Sequence, residues 1–177
     1  SGLAELGFKR GVNLAVRGDT RARLYWAMCA AQCLGGVPVP LYQDAVAAEM
    51  VFVLQDAGIK FAIVEDQEQV DKLLENKSQC PDLLHILYDD PRGLRHYNQS
   101  FLHGLDEVQE MGRIHNRNHP EFLDGEIEQG RQDDVAVMLY TSGTTGKPKG
   151  VCQTHGAFIA AAQSGCEFDR LGPDDNI

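Results

Sequence analysis

The chain has 177 residues, 43% of them hydrophobic and 24% charged, which suits one globular domain with enough length for a sizeable core. Its net charge of −10 comes with no basic cluster to offset it, which excludes a nucleic-acid-binding face. Five cysteines without a CxxC exclude a disulfide framework and suit a reducing cytoplasm, and no apolar run approaches the ~18 residues of a membrane-spanning helix.

In chain order, short apolar runs alternate with helical stretches. Residues 1–7 read as the end of a helix. A strand over 12–16 is followed by a helix over 20–34 (TRARLYWAMCAAQCL), with Asp19 or Thr20 as N-cap and Gly35-Gly36 as its stop. Within it Cys29 and Cys33 lie one turn apart and read, with Trp26, as core. Residues 37–41 form a strand whose two prolines suit an end or edge. Residues 46–56 repeat apolar positions at helical spacing, 60–64 (KFAIV) read as a buried strand, 67–76 as a helix and 83–88 as a strand. The acidic pair Glu65-Asp66 suits the N-terminus of the 67–76 helix, where negative charge is favoured. Strands separated by such helices imply a three-layer α/β fold, with helices on both faces of a mainly parallel sheet.

Residues 89–132 differ in character. A turn at 89–93, an amphipathic helix over 101–111, a polar irregular stretch over 113–120 and a weak acidic helix over 121–130 predict a solvated excursion. The sheet resumes at Asp134, continues through 140, and a second short strand over 150–154 leads into a helix beginning near His155.

Between those last two strands stands Tyr140-Thr141-Ser142-Gly143-Thr144-Thr145-Gly146-Lys147-Pro148-Lys149-Gly150-Val151, with four Ser/Thr hydroxyls, three glycines and two lysines. Glycines let backbone N–H groups turn inward against an anion, because positive φ costs them little. Thr141, Ser142, Thr144 and Thr145 add hydroxyl donors. Lys147 and Lys149 flank Pro148, which favours an extended backbone, so both ammonium groups share one face and can meet one polyphosphate. The string differs from a Walker A loop, in which the lysine is followed by Ser or Thr and a helix. A flexible Gly/Ser/Thr linker with two solvated lysines is the plain alternative.

Other constellations are weaker. His115 and His119 have the i,i+4 spacing of paired metal ligands, but Asn116, Asn118 and Pro120 oppose a helix there and no third ligand lies near, so no metal site is expected within the chain. Ser142 lies in T-S-G and lacks the G-x-S-x-G elbow of a serine hydrolase. Asp133-Asp134 precedes a strand as a solvated pair, and His155 reads as a helix N-terminal residue more than as a base.

The complete loop string resembles the signature phosphate-binding loop of the AMP-binding, or adenylate-forming, superfamily. Further stretches are similar to bacterial long-chain fatty-acid–CoA ligases: Gly18-Asp19-Thr20-Arg21, the block AAQCLGGVPVPLY over 30–42, EDQEQVDKLL over 65–74 and YDDPRGL over 88–94. Gly11-Val12-Asn13 and Thr20 depart from the usual G-D-x and asparagine. The later adenine, ribose and magnesium motifs and the catalytic lysine of that family have no match here. The expectation is therefore an incomplete N-terminal AMP-binding domain over 1–177, with its phosphate loop at 140–151 and no catalytic residue of its own.

The resemblance implies Thr141, Ser142, Gly143, Thr144, Thr145, Gly146, Lys147 and Lys149 as ATP-binding residues, with Thr144 and Lys149 supporting the transition state. It implies ATP and a fatty acid as substrates, Mg²⁺ held mostly by residues outside this stretch, and coenzyme A as co-substrate. The reaction is two-step, through an acyl-adenylate. An acyl-AMP ligase feeding a carrier protein and a non-catalytic module are the alternatives. The resemblance also allows peripheral membrane association of the whole enzyme, and self-association of this piece.

Overall fold

The structure, a computed structural model, describes residues 1–141, 147–172 and 175. A short helix, α1 (Gly2–Glu5), precedes β1 (Asn13–Arg17), α2 (Ala22–Cys33), β2 (Val37–Leu41), α3 (Ala47–Asp56), β3 (Phe61–Val64), α4 (Gln67–Glu75) and β4 (His85–Tyr88). Then come β5 (Leu102–Gly104), α5 (Leu105–Asn118), α6 (Phe122–Glu128), β6 (Val135–Thr141), β7 (Lys149–Thr154) and α7 (His155–Asp169). The first five strands form one sheet in the order β2-β1-β3-β4-β5, every neighbouring pair parallel.

Side chains alternate across a strand, and the two faces of this sheet accordingly bury different sets. Leu14, Val16, Phe61, Ile63 and Leu87 face a layer built from α1, α2 and α5, through Leu3, Leu24, Ala27, Ala31, Leu105 and Val108. Ala15, Ala62, Val64 and Ile86 face the other layer, through Met50, Val53 and Leu54 of α3 and Val70 and Leu73 of α4. Leu14, Ile63, Ile86 and Leu87 are fully buried, and each such side chain contributes about 1.5–3 kcal/mol of burial energy. Right-handed crossovers account for the placement: the chain steps one way from β1 to β2 and the other way from β2 to β3, so α2 and α3 fall on opposite faces. The three-layer expectation holds.

Several local expectations are corrected. The helix expected over 101–111 is instead strand β5 followed by α5, because the open edge of β4 captures the chain: the Ile86 N–H donates to the Phe101 carbonyl at 2.9 Å, and Ile86, Leu87 and Tyr88 pair with Leu102, His103 and Gly104. α5 then runs on through the stretch expected to be irregular. Arg113 reaches Glu110 at 2.8 Å, the His115 ring packs edge-on to Phe122 at 4.6 Å, and the helix stops only at His119, the residue before Pro120. The excursion over 89–132 is thus solvated only in part. No residue of α6 is buried, whereas Leu105 and Val108 of α5 are.

The strand after Asp134 does not rejoin the parallel sheet. β6 pairs antiparallel with β7 as a separate hairpin, as a connection too short for a parallel crossover requires. α2 is buried on one stripe only, and Trp26 (62% exposed) and Cys29 lie outside it, contrary to a core reading. Its N-cap is Arg21, and the Asp19 backbone N–H is engaged elsewhere.

Candidate functional site

β6 and β7 carry the candidate phosphate loop between them. The pairing closes with Tyr140 opposite Gly150 and Thr141 opposite Lys149, so the two limbs of the loop leave the hairpin side by side. Gly150 sits close to its cross-strand neighbours: a Cβ there would stand 3.2 Å from both the Met138 sulfur and the Tyr140 ring, a tight contact that those side chains would have to ease. Ser142, Gly143, Thr144, Thr145 and Gly146 lie outside the described residues. Thr141, Lys147 and Lys149 are described and exposed.

The two limbs are tied down by different means. Tyr140 is 8% exposed and belongs to the core cluster of Met50 and Val53, and its hydroxyl donates to Asp56 Oδ2 at 2.6 Å. Burial, and then the neighbouring Asp56 carboxylate, push the Tyr140 phenol well above its ordinary value, so it remains a donor. Gln32 on α2 adds a bond to the Ala136 carbonyl at 2.8 Å. On the return limb the Lys147 ammonium stands 5.7 Å from the centroid of the Phe52 ring. Nothing in the sequence marks Phe52 or Asp56. Their four-residue spacing on an amphipathic helix is the ordinary spacing of any helix face.

The carboxyl ends of the parallel strands form a second polar region, closed by internal pairing. Glu65, only 5% exposed, accepts the Asp19 N–H at 2.6 Å and pairs with Arg21 at 2.6 Å. Gly18 turns there at φ 152°, where a Cβ would lie 2.6 Å from that of Glu65. The acidic pair therefore divides its work. Asp66 caps α4 through the Gln69 N–H, as expected, whereas Glu65 ties the β1–α2 turn to β3. Arg17, 1% exposed, donates to the Gln43 and Ala45 carbonyls and fixes the segment after β2.

His115 and His119 come together, with ring centroids 4.9 Å apart, but His115 pairs with Glu5 and packs on Phe122 as a seam between helices. Among the described residues no three His, Cys, Asp or Glu side chains are grouped to hold a metal ion. His155 opens α7, whose cap is the Thr154 hydroxyl accepting from the Ala157 N–H at 3.2 Å. Asp134 accepts the Arg131 N–H at 2.9 Å and faces Arg10, which leaves it no acid–base partner. No helix among the described residues is long and apolar enough to cross a membrane.

Against known proteins, the chain is 25% identical over 173 residues to the long-chain-fatty-acid–CoA ligase ACSBG1 of Homo sapiens, covering 97% of this chain and 23% of that protein. It is 30% identical over 154 residues to the long-chain-fatty-acid–CoA ligase FadD15 of Mycobacterium bovis, covering 86% and 23%. The chain thus spans under a quarter of the length of these relatives. Among solved structures, apo MbtA of Mycobacterium smegmatis superposes with a TM-score of 0.74 at 24% identity, over 98% of this chain and 30% of that one, a likeness of fold. The family model for the AMP-binding enzyme matches residues 1–177, and the chain belongs to that family of adenylate-forming enzymes.

Proposed function

We propose that the chain is the polyphosphate-gripping part of an ATP-dependent long-chain fatty-acid–CoA ligase. The observation that carries this reading is the loop between Tyr140 and Gly150, hydroxyl- and glycine-rich, with Lys147 and Lys149 exposed on its return limb. The names of the relatives supply the substrate class.

In the first step a carboxylate oxygen of the fatty acid attacks the α-phosphorus of ATP. A new P–O bond forms, the α–β bridging bond breaks, and pyrophosphate leaves as acyl-adenylate is made. Negative charge grows on the departing phosphates, so donors and ammonium groups fixed around them act where charge develops. Thr144 and Lys149 take that role in this proposal. In the second step the thiol sulfur of coenzyme A attacks the acyl carbon, its proton passes to solvent, a thioester forms as the acyl–O bond breaks, and AMP leaves with the electron pair. Mg²⁺, when bound with ATP, neutralises phosphate oxygens. In this proposal its protein ligands lie mostly outside this stretch.

The 177 residues alone hold ATP only by its phosphates and are expected to be inactive. The test is fatty-acid-dependent exchange of pyrophosphate into ATP, in a protein that joins this chain to the remaining length of its relatives. Exchange with palmitate, followed by palmitoyl-CoA formation, is the expected result. Exchange followed by transfer to a carrier protein, with no turnover on coenzyme A, would replace the ligase by an acyl-AMP ligase. Absence of exchange with any carboxylic acid would leave the non-catalytic module.

A further inference from the structure

We propose that α3 carries two positioning residues for the polyphosphate loop, Phe52 and Asp56, which hold its outgoing and returning limbs from one helix face. The inference rests on the reading of the loop as a polyphosphate site. Residues four apart on a helix lie one above the other, and these two reach opposite limbs. Asp56 accepts the Tyr140 hydroxyl at 2.6 Å, one residue before the end of β6. The Phe52 ring lies under the Lys147 ammonium at 5.7 Å, two residues before β7 begins. Phe52 is itself half-buried beside the core cluster of α3, so the ring is a fixed platform.

A lysine carries a long, freely rotating stem, and ordering it on an anion costs conformational entropy. An aromatic face beneath the ammonium restricts that freedom and leaves the outer N–H groups to donate. Tyr140 gives the outgoing limb a comparable anchor, because its ring is in the core and its hydroxyl has one acceptor in Asp56. The hairpin has no other aromatic platform for Lys147 among the described residues. Neither Phe52 nor Asp56 touches the ligand. They act through Lys147 and Tyr140.

The experiment titrates the 177-residue chain with inorganic tripolyphosphate and follows the Lys147 ε-methylene protons by NMR. In the unsubstituted chain without ligand those protons are expected upfield, in the shielding cone of the ring. Phe52→Leu should return them to the random-coil position and weaken tripolyphosphate binding about two- to fivefold, the range of an exposed cation–π contact. Phe52→Tyr, which keeps the ring, should preserve both. Phe52→Leu should add nothing in a Lys147→Ala background, a non-additivity that general damage to the core would not give. Asp56→Ala should also weaken binding, and Asp56→Asn should restore it, because the carboxamide oxygen accepts the same bond.

If Lys147→Ala weakens tripolyphosphate binding but Phe52→Leu and Asp56→Ala do not, the positioning roles are wrong and the loop reading stands. If the unsubstituted chain binds no tripolyphosphate, or Lys147→Ala leaves binding unchanged, the loop reading fails and the proposal falls with it.

Discussion

At the scale of single residues, the Tyr140 hydroxyl donates to Asp56 Oδ2 at 2.6 Å and ties β6 to α3. The run from Tyr140 to Val151 resembles a phosphate loop in sequence because every donor in it is adjacent. Tyr140 itself read only as the end of a strand, because Asp56, its acceptor, lies 84 residues earlier. Removing that acceptor with Asp56→Ala should cost about 0.5–1.5 kcal/mol, the net worth of one part-buried hydrogen bond, and urea denaturation should show it as a lower midpoint at unchanged slope. Cys29 makes the opposite point. It read as core because it stands in an Ala-rich helix, yet it falls outside the buried stripe, so Cys29→Ala should change stability by no more than ~0.5 kcal/mol, with exchange rate per folded molecule unaffected. In a protein that joins this chain to the remaining length of its relatives, the proposed role of Lys149 at the departing phosphate predicts that Lys149→Ala slows fatty-acid-dependent pyrophosphate exchange on the order of 10²–10³-fold and changes fatty-acid affinity little.

At the scale of elements, the sequence pattern placed β1 to β4 as short apolar runs buried on both faces, and α2 to α4 as helices that each bury one stripe. It missed β5, whose three residues are strand only because β4 offers an unpaired edge, and no local pattern records that. The same edge brings His103 beside His85, with Nε2 and Nδ1 3.1 Å apart and the His85 ring stacked on Phe61 at 4.8 Å. One proton fits between the rings and two do not. Burial first, and His103 second, lower the basicity of His85; burial lowers that of His103 against the opposing pull of Glu107. The unfolded chain therefore binds protons that the folded chain refuses. Stability is full above the unfolded value of about 6.5 and is lost as pH falls below it, until the folded values are reached. Urea midpoints at pH 7.5 and pH 5 should show this loss, and His85→Gln should shrink the difference. An equal difference with and without His85 would place the acid sensitivity elsewhere.

At the scale of the whole molecule, the parallel sheet is covered on both faces, but the hairpin and the helix after it are not. α7 carries Phe158, Ile159, Ala162, Cys166 and Phe168 on several sides, and a helix apolar around most of its circumference normally lies inside a protein. Here none of its residues is buried, and Phe158, Ile159 and Phe168 are 57%, 55% and 87% exposed. Leu139 and Val151 of the hairpin add to the apolar surface nearby in sequence. An exposed apolar surface of this kind drives association whenever another such surface is within reach, and for the 177 residues in solution the available surface is that of a second copy. Net charge of −10 opposes contact at low salt, so screening it should favour association. The weight-average mass from light scattering is therefore expected to rise with protein concentration, and to rise further between 50 mM and 500 mM NaCl. Phe158→Ser combined with Phe168→Ser should reduce that rise without changing the unfolding free energy measured in urea by more than ~0.5 kcal/mol, because neither side chain is in the core. A constant monomer mass across concentration and salt would show that this surface is insufficient for association, and an undiminished rise in the double variant would move the contact away from α7.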